Sequence, residues 1–421
     1  MTNRRPLPLP INLGIDFGTS WTKLCYRDLE SERTGVVRFE HLRLPESVLP
    51  SVVQVDGDGL LFMGDKPSSN SACVAVRYLK MRLARAGGFP DLPVVAGVPL
   101  SSELSVRALS AWYLSRVIVR ARYSVLVQES ELVRNRQVQW SANVGVPVEQ
   151  FKNENLDVFD EVLRVAWEWA EQRITPTHLN ETMALFQATV KNESAANCHA
   201  VPEIVAAILS FSKSRSARDG LYLYFDIGGG TLDGVGFELR REAGEVVVHC
   251  KAGNVADLGV EALVHSVVKV DTDRVSRRLL SEKAVSIPEL EDRTDTLHTF
   301  AANVIMPAKQ KHEWGRLSRL PVFLGGGAAG SHWYQHTLAE THKFRAHGNC
   351  GIPPYDFRPI PEPADLIGAK ESGLPFARLA IAYGLSFPRE EVPEFSLPED
   401  HVNVSPPRPA RLLGVTSYVD T

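Results

Sequence analysis

Apolar residues follow two alternating rhythms along the chain. Ile11-Asn-Leu-Gly-Ile-Asp-Phe17 is a nearly continuous apolar run, and Trp21-Thr-Lys-Leu-Cys-Tyr-Arg27 alternates. The first suits a buried strand and the second a strand returning beside it, with Gly18-Thr19-Ser20 as the turn. More short strands are predicted over 48–64, around the turn Asp56-Gly57-Asp58-Gly59. The stretch 72–135 reads as largely helical, with Leu104, Val106, Leu109, Trp112, Leu114 and Val117 amphipathic within 103–123. A strand is predicted over 137–147, ending at Pro147. A long helix is predicted at about 154–173, with Phe159, Val162, Leu163, Ala166 and Trp169 on its apolar side. A second, at 202–213, opens with Pro202-Glu203, where the missing proline N–H is no loss.

The opening pattern then returns. Leu221-Tyr-Leu-Tyr-Phe-Asp226 is a buried strand, Gly228-Gly229-Gly230-Thr231 a turn, 232–239 a returning strand and 245–251 one more. About 210 residues separate the two hairpins. That is too long for a solenoid repeat and fits a duplicated domain. Beyond it, a helix is predicted over 257–270, charged helical sequence over 271–320 and a strand over 320–327. The stretch 347–375 reads as loop, 376–386 as a short helix. From Pro388 onward six prolines in 34 residues predict an extended tail.

Composition narrows the classes. At about 150 residues per domain, 421 residues predict two or three domains. Forty-six basic against fifty acidic residues, a net charge of −4, argue against a general grip on nucleic acid. No run of about 18 uncharged apolar residues occurs, so no membrane partner is expected. Prolines 6, 8 and 10 and then Asp16 interrupt any signal-like stretch after Arg4-Arg5. Five widely spaced cysteines without a CxxC pair predict reduced thiols and a cytoplasmic protein.

Three glycine-bearing loops each come after a predicted strand: Asp16-Phe17-Gly18-Thr19-Ser20, Asp226-Ile227-Gly228-Gly229-Gly230-Thr231-Leu232-Asp233, and Gly325-Gly326-Gly327. Glycines let backbone N–H groups approach phosphate oxygens without a Cβ in the way. Thr19, Ser20 and Thr231 add hydroxyl donors. Asp16 and Asp226 end the two buried strands. Converging carboxylates hold magnesium, mostly through its water shell because the ion dehydrates reluctantly. Open α/β sheets bind ligands beyond the carboxyl ends of their strands, which matches this placement. Singly, each loop is an ordinary hairpin tip or flexible turn; their order along the chain carries the reading.

These motifs resemble the actin, sugar-kinase and heat-shock-chaperone superfamily of ATPases, above all the nucleotide-binding domain of DnaK-type chaperones. Gly14-Ile-Asp-Phe-Gly-Thr-Ser20 resembles that family's first phosphate loop, and Asp226–Asp233 is similar to its second nearly residue for residue. Val322-Phe-Leu-Gly-Gly-Gly327 resembles its adenosine loop. Pro202-Glu203-Ile-Val-Ala-Ala207 resembles the connecting helix with the water-coordinating glutamate, and Leu379-Ala-Ile-Ala-Tyr-Gly384 the last helix. The match spans about 12–388, but only these islands are specific.

The resemblance implies an α/β fold of two duplicated actin-like (ribonuclease-H-like) lobes, in four subdomains around a central nucleotide cleft. Lobe I would be 1–220 with a helical insert at about 45–136, and lobe II 221–376 with a reduced subdomain at about 271–320. Residues 377–388 would return as a helix to lobe I, and 389–421 would form the Pro-rich tail. It implies ATP/ADP and Mg2+ as ligands, and slow hydrolysis of ATP to ADP and phosphate. Asp16 and Asp226 would organise the metal, and Glu203 and Asp226 the attacking water. Thr231 would contact the γ-phosphate, and Asp233 would support the second loop or the water. Gly18, Thr19, Ser20, Gly228, Gly229 and Gly230 would hold phosphates. Gly259 would belong to the nucleotide-binding set, Glu261 would reach the ribose, and Gly325, Gly326 and Gly327 would form the adenosine loop. Blander roles exist for some: a helix-start acid for Glu203 or Glu261, a turn cap for Asp233, helix packing for Trp333-Tyr334.

The sequence departs from the family in three places. Where the family has a catalytic lysine, the stretch reads Val76-Arg77-Tyr78-Leu79-Lys80. Arg77 is the first substitute, with a different donor geometry from lysine, and Lys80 the second. The usual base-clamping helix is not visible in 271–320. A peptide-binding β-domain and lid do not fit in the last 34 residues. A nucleotide-driven switch acting through a partner protein is therefore the leading expectation. An actin-like filament, a small-molecule kinase and a nucleotide-binding scaffold with little turnover are the competitors.

Overall fold

A computed structural model describes residues 6–39, 47–64, 73–84, 91–147, 156–192, 196–214, 217–242, 245–267, 272–281, 283–310, 318–346 and 353–392. The expected tail beyond 392 lies outside the described residues, as do the first residues of the predicted 154–173 helix.

The chain opens with strands β1 (Leu7–Phe17), β2 (Trp21–Asp28) and β3 (Thr34–Val36). After β4 (Leu49–Pro50), strands β5 (Val53–Val55), β6 (Leu61–Met63) and β7 (Val74–Val76) form a separate small sheet. Next are helix α1 (Leu79–Leu83), the hairpin β8 (Val94–Val95) and β9 (Val98–Pro99), and the long helix α2 (Glu103–Gln128). Then come β10 (Arg136–Val146), α3 (Leu156–Gln172), α4 (Leu179–Val190), β11 (Cys198–Pro202) and α5 (Glu203–Ser212). The second half runs β12 (Gly220–Ile227), β13 (Leu232–Glu242), β14 (Glu245–Ala256), α6 (Val260–Val267), α7 (Thr272–Leu279) and α8 (Glu291–Gln310). It continues with β15 (Leu320–Gly325), α9 (His332–Ala346), β16 (Tyr355–Arg358), β17 (Leu366–Ile367) and α10 (Ala380–Leu385).

The fold is mixed α/β, and its two large sheets share one order of strand directions. In the first, β11, β10 and β1 run parallel, and β1, β2 and β3 are antiparallel neighbours. In the second, β16, β15 and β12 run parallel, and β12, β13 and β14 are antiparallel. Strands β17 and β4 add to the first sheet only.

Period-two alternation explains the layering. On β1 the odd positions Leu9, Ile11, Leu13, Ile15 and Phe17 enter one core, which α2 and α3 cover. The even positions Asn12, Gly14 and Asp16 face the other way. Asn12 Nδ2 donates to the carbonyls of Ser386 (3.0 Å) and Phe387 (2.9 Å), at the end of α10. A Cβ on Gly14 would fall 2.1 Å from the Ala382 carbonyl, so α10 lies directly on β1. On β12, Leu221, Leu223, Phe225 and Ile227 join a core closed by α6 to α9, while Tyr222 and Tyr224 face α5. Helices α5 and α10 thus form a middle layer between the sheets. They cross so closely that a Cβ on Gly384 would sit 1.8 Å from the Ala206 carbonyl.

Two expectations are corrected. The stretch 72–135 is not largely helical from its start: β7 and the hairpin β8–β9 precede α2, and α1 is only five residues long. The stretch 347–375 is not all loop, since β16 and β17 each add an edge strand to a large sheet. Both are too short, at four and two residues, to show a period. Among the described residues, no helix is long and apolar enough to cross a membrane.

Candidate functional site

The carboxyl ends of β1 and β12 open into one cavity of about 450 Å³, walled by both sheets and by the middle layer. It brings together Asp16, Gly18, Thr19 and Ser20 of the first loop with Asp226, Gly228, Gly229 and Thr231 of the second. Glu203, Glu261, Gly326 and Gly327 also line it. Gly230, Gly259, Gly325, Asp233 and Arg77 do not.

The second loop is held by α6. The N–H groups of Val260 and Glu261 donate to the carbonyls of Gly228 (3.0 Å) and Gly229 (2.8 Å), and that of Gly259 to Gly230 (3.1 Å). Gly259 thus buttresses the loop: a Cβ there would lie 2.6 Å from the Gly229 carbonyl. Each peptide unit is planar, so its N–H points away from its own C=O. Three successive carbonyls turned to α6 thus aim the N–H groups of Gly229, Gly230 and Thr231 the opposite way. None of the three N–H groups has a backbone partner among the described residues. Consecutive N–H groups with one outlook form an anion-binding concavity.

The two aspartates sit in different hairpin registers. Asp16 lies opposite Lys23 and pairs with its Nζ at 2.5 Å. Asp226 lies opposite Asp233, which is buried behind the cavity wall. Tyr224 reaches along β12 and donates its hydroxyl to Asp226 Oδ1 at 3.2 Å. Gly325 makes room for it, since a Cβ there would fall 1.9 Å from the Tyr224 hydroxyl. Gly325 itself, expected at the adenosine, is off the cavity lining.

Glu203 opens α5 at the cavity floor, where Lys80 Nζ donates to its Oε2. Both side chains are buried. Arg77, the expected substitute for a catalytic lysine, is exposed and off the cavity wall. Tyr78 explains the exchange. Its left-handed backbone, φ 60°, lies between β7 and α1, which turns Lys80 inward and leaves Arg77 outside. Across the cavity mouth, Ser20 Oγ donates to Glu261 Oε1, linking the first loop to α6.

The field of the site is set by crowded carboxylates. Burial, then Asp16 and Asp226, push Glu203 up to about 7 against the opposing charge of Lys80. Burial and the neighbouring Asp16 push Asp226 up to about 6, although Lys23, Lys80 and the Tyr224 hydroxyl oppose the shift. Burial works against the Lys80 charge, but Glu203, Asp16 and Asp233 outweigh it and raise its pKa. A buried carboxylate whose charge is penalised by a neighbouring carboxylate fits a cation beside it. Among the described residues no cluster of three or more His, Cys, Asp or Glu surrounds a metal position, so any ion there is completed by water or ligand oxygens.

Two residues that line the cavity, Lys23 and Arg378, and Tyr224 behind Asp226 carry no signal that the motifs point to. Lys23 has a recoverable one, since it stands seven positions after Asp16 and opposite it across a three-residue turn. Helix α7, within the charged helical stretch, brings Ser276 to the cavity wall, and Leu280 joins it just beyond the helix end. No protein-family model matches the chain, and no curated protein matches it in sequence.

Proposed function

We propose that this chain is a DnaK-type ATPase module, built of two duplicated actin-like lobes. It binds and slowly hydrolyses MgATP and signals its nucleotide state to a partner protein. The observation that carries this reading is the pair of second-loop N–H groups at Gly229 and Thr231, without a backbone partner among the described residues, on residues that line one cavity with the Asp16–Ser20 loop and the buried carboxylates. The matching strand order of the two sheets supports the duplication.

In this reading the amides of the second loop and the hydroxyls of Thr19 and Thr231 hold the phosphates. Magnesium, when bound, neutralises phosphate charge near Asp16 and Asp226. Glu203 and Lys80 orient the attacking water, with Glu203 poised near neutral pH to accept its proton. Preorganised positioning and charge supply most of the acceleration in phosphoryl transfer. Ser20 must leave Glu261 to reach a phosphate, so binding exchanges a contact across the mouth for contacts to the ligand. Asn12 fixes the end of α10 to the first sheet.

The test is ATP turnover of the purified chain with light scattering recorded in the same cuvette. Slow, magnesium-dependent turnover with flat scattering is the expected result. Turnover with rising scattering would replace the switch with an ATP-dependent filament. Binding without turnover would leave a nucleotide-binding scaffold.

A further inference from the structure

Among the described residues three cationic side chains line the cavity: Lys23, Lys80 and Arg378. Two are committed, Lys23 to Asp16 and Lys80 to Glu203. Arg378 has no ion pair among the described residues, and its buried Nε has no hydrogen-bond partner there. A charge drawn partly out of water without a partner is costly, and proteins seldom leave one so.

Its position is defined by the fold. Arg378 ends the short 3₁₀ turn Phe376–Arg378, just before α10. The carbonyl of the preceding Ala377 accepts from Gly326 N at 3.2 Å, which ties this turn to the third glycine loop. Arg378 thus enters the cavity from the Gly326 side. Ile381, one turn along in α10, lines the wall beside it. A planar guanidinium with its donors unspent matches phosphate oxygens in geometry and charge better than an ammonium does.

We infer that Arg378 is a specificity-determining residue that holds the phosphate chain of the bound nucleotide from the third-loop side, making the site select nucleotides over nucleosides. The inference rests on the nucleotide reading above. Burial of the guanidinium depresses its pKa, partly offset by Asp16, which agrees with a group that an anion would stabilise.

The test compares ADP affinity in the wild-type chain, Arg378→Gln and Arg378→Lys, across a series of salt concentrations. Loss of a charged hydrogen-bonding contact predicts roughly 10- to 100-fold weaker ADP binding in Arg378→Gln. Its affinity should also depend less steeply on salt, because one charge pair is gone. Arg378→Lys should recover part of the loss. Without ligand, Arg378→Gln should melt no lower than the wild type, since no ion pair is lost. Unchanged ADP affinity in Arg378→Gln would overturn the inference, and so would weakening with the wild-type salt slope. Wild-type protein that binds no nucleotide would overturn the broader reading as well, and is distinguished by that control alone.

Discussion

Lys80 and Glu203 meet at the cavity floor: a residue in the first turn of a five-residue helix donates to the first residue of α5. Arg77, three residues earlier, is exposed. Lys80→Met should lower ATP turnover by roughly 10²–10³-fold, while Arg77→Ala should stay within about a few-fold of wild type. Single-turnover kinetics on the two variants decides it. Equal losses, or a larger loss in Arg77→Ala, would return the role to Arg77.

The crowded carboxylates predict a pH dependence of the unliganded protein. Glu203 moves from 4.5 to about 7 and Asp226 from 3.8 to about 6. The folded state then holds protons that the unfolded state has released, so stability falls as pH rises through this window and levels off above about 7. Denaturant midpoints measured in chelator between pH 5 and pH 8 should decline, and Glu203→Gln should flatten the decline. A wild-type midpoint that rises over this range would contradict the placement of these groups.

The crossing of α5 and α10 tolerates no side chain at Gly384. Gly384→Ala should cost about 1–3 kcal/mol of stability through overpacking against Ala206. Gly57→Ala, where a Cβ meets nothing within 4 Å, should stay within about 0.5 kcal/mol. Urea unfolding of both variants is the comparison. A neutral Gly384→Ala would mean that the two helices are not packed at this crossing.

How legible each feature is in the sequence depends on how its signal arises. The β1–β2 and β12–β13 hairpins are plain because long apolar runs meet glycine turns, and both registers place the strand-end aspartates at the cavity. Glu203 is legible from the helix start beside Pro202. Lys80 ranks second to Arg77 in the sequence, because a left-handed residue such as Tyr78 leaves no trace in polarity. Yet that residue decides which of the two turns inward. Gly259 and Gly325 are only half legible for a related reason. Glycine marks a close approach but not the partner, here the Gly229 backbone and the Tyr224 hydroxyl. Arg378 is hidden because its role depends on what fails to pair with it, which only a folded cavity reveals.

The most direct test of the central claim is calorimetric titration of ATP and ADP into the chain, with and without magnesium, for wild type and Asp226→Asn. The predicted result is binding by the wild type that magnesium strengthens, and an Asp226→Asn variant in which that strengthening is largely lost while the fold is retained. No heat of binding with any nucleoside di- or triphosphate, in either condition, would contradict it.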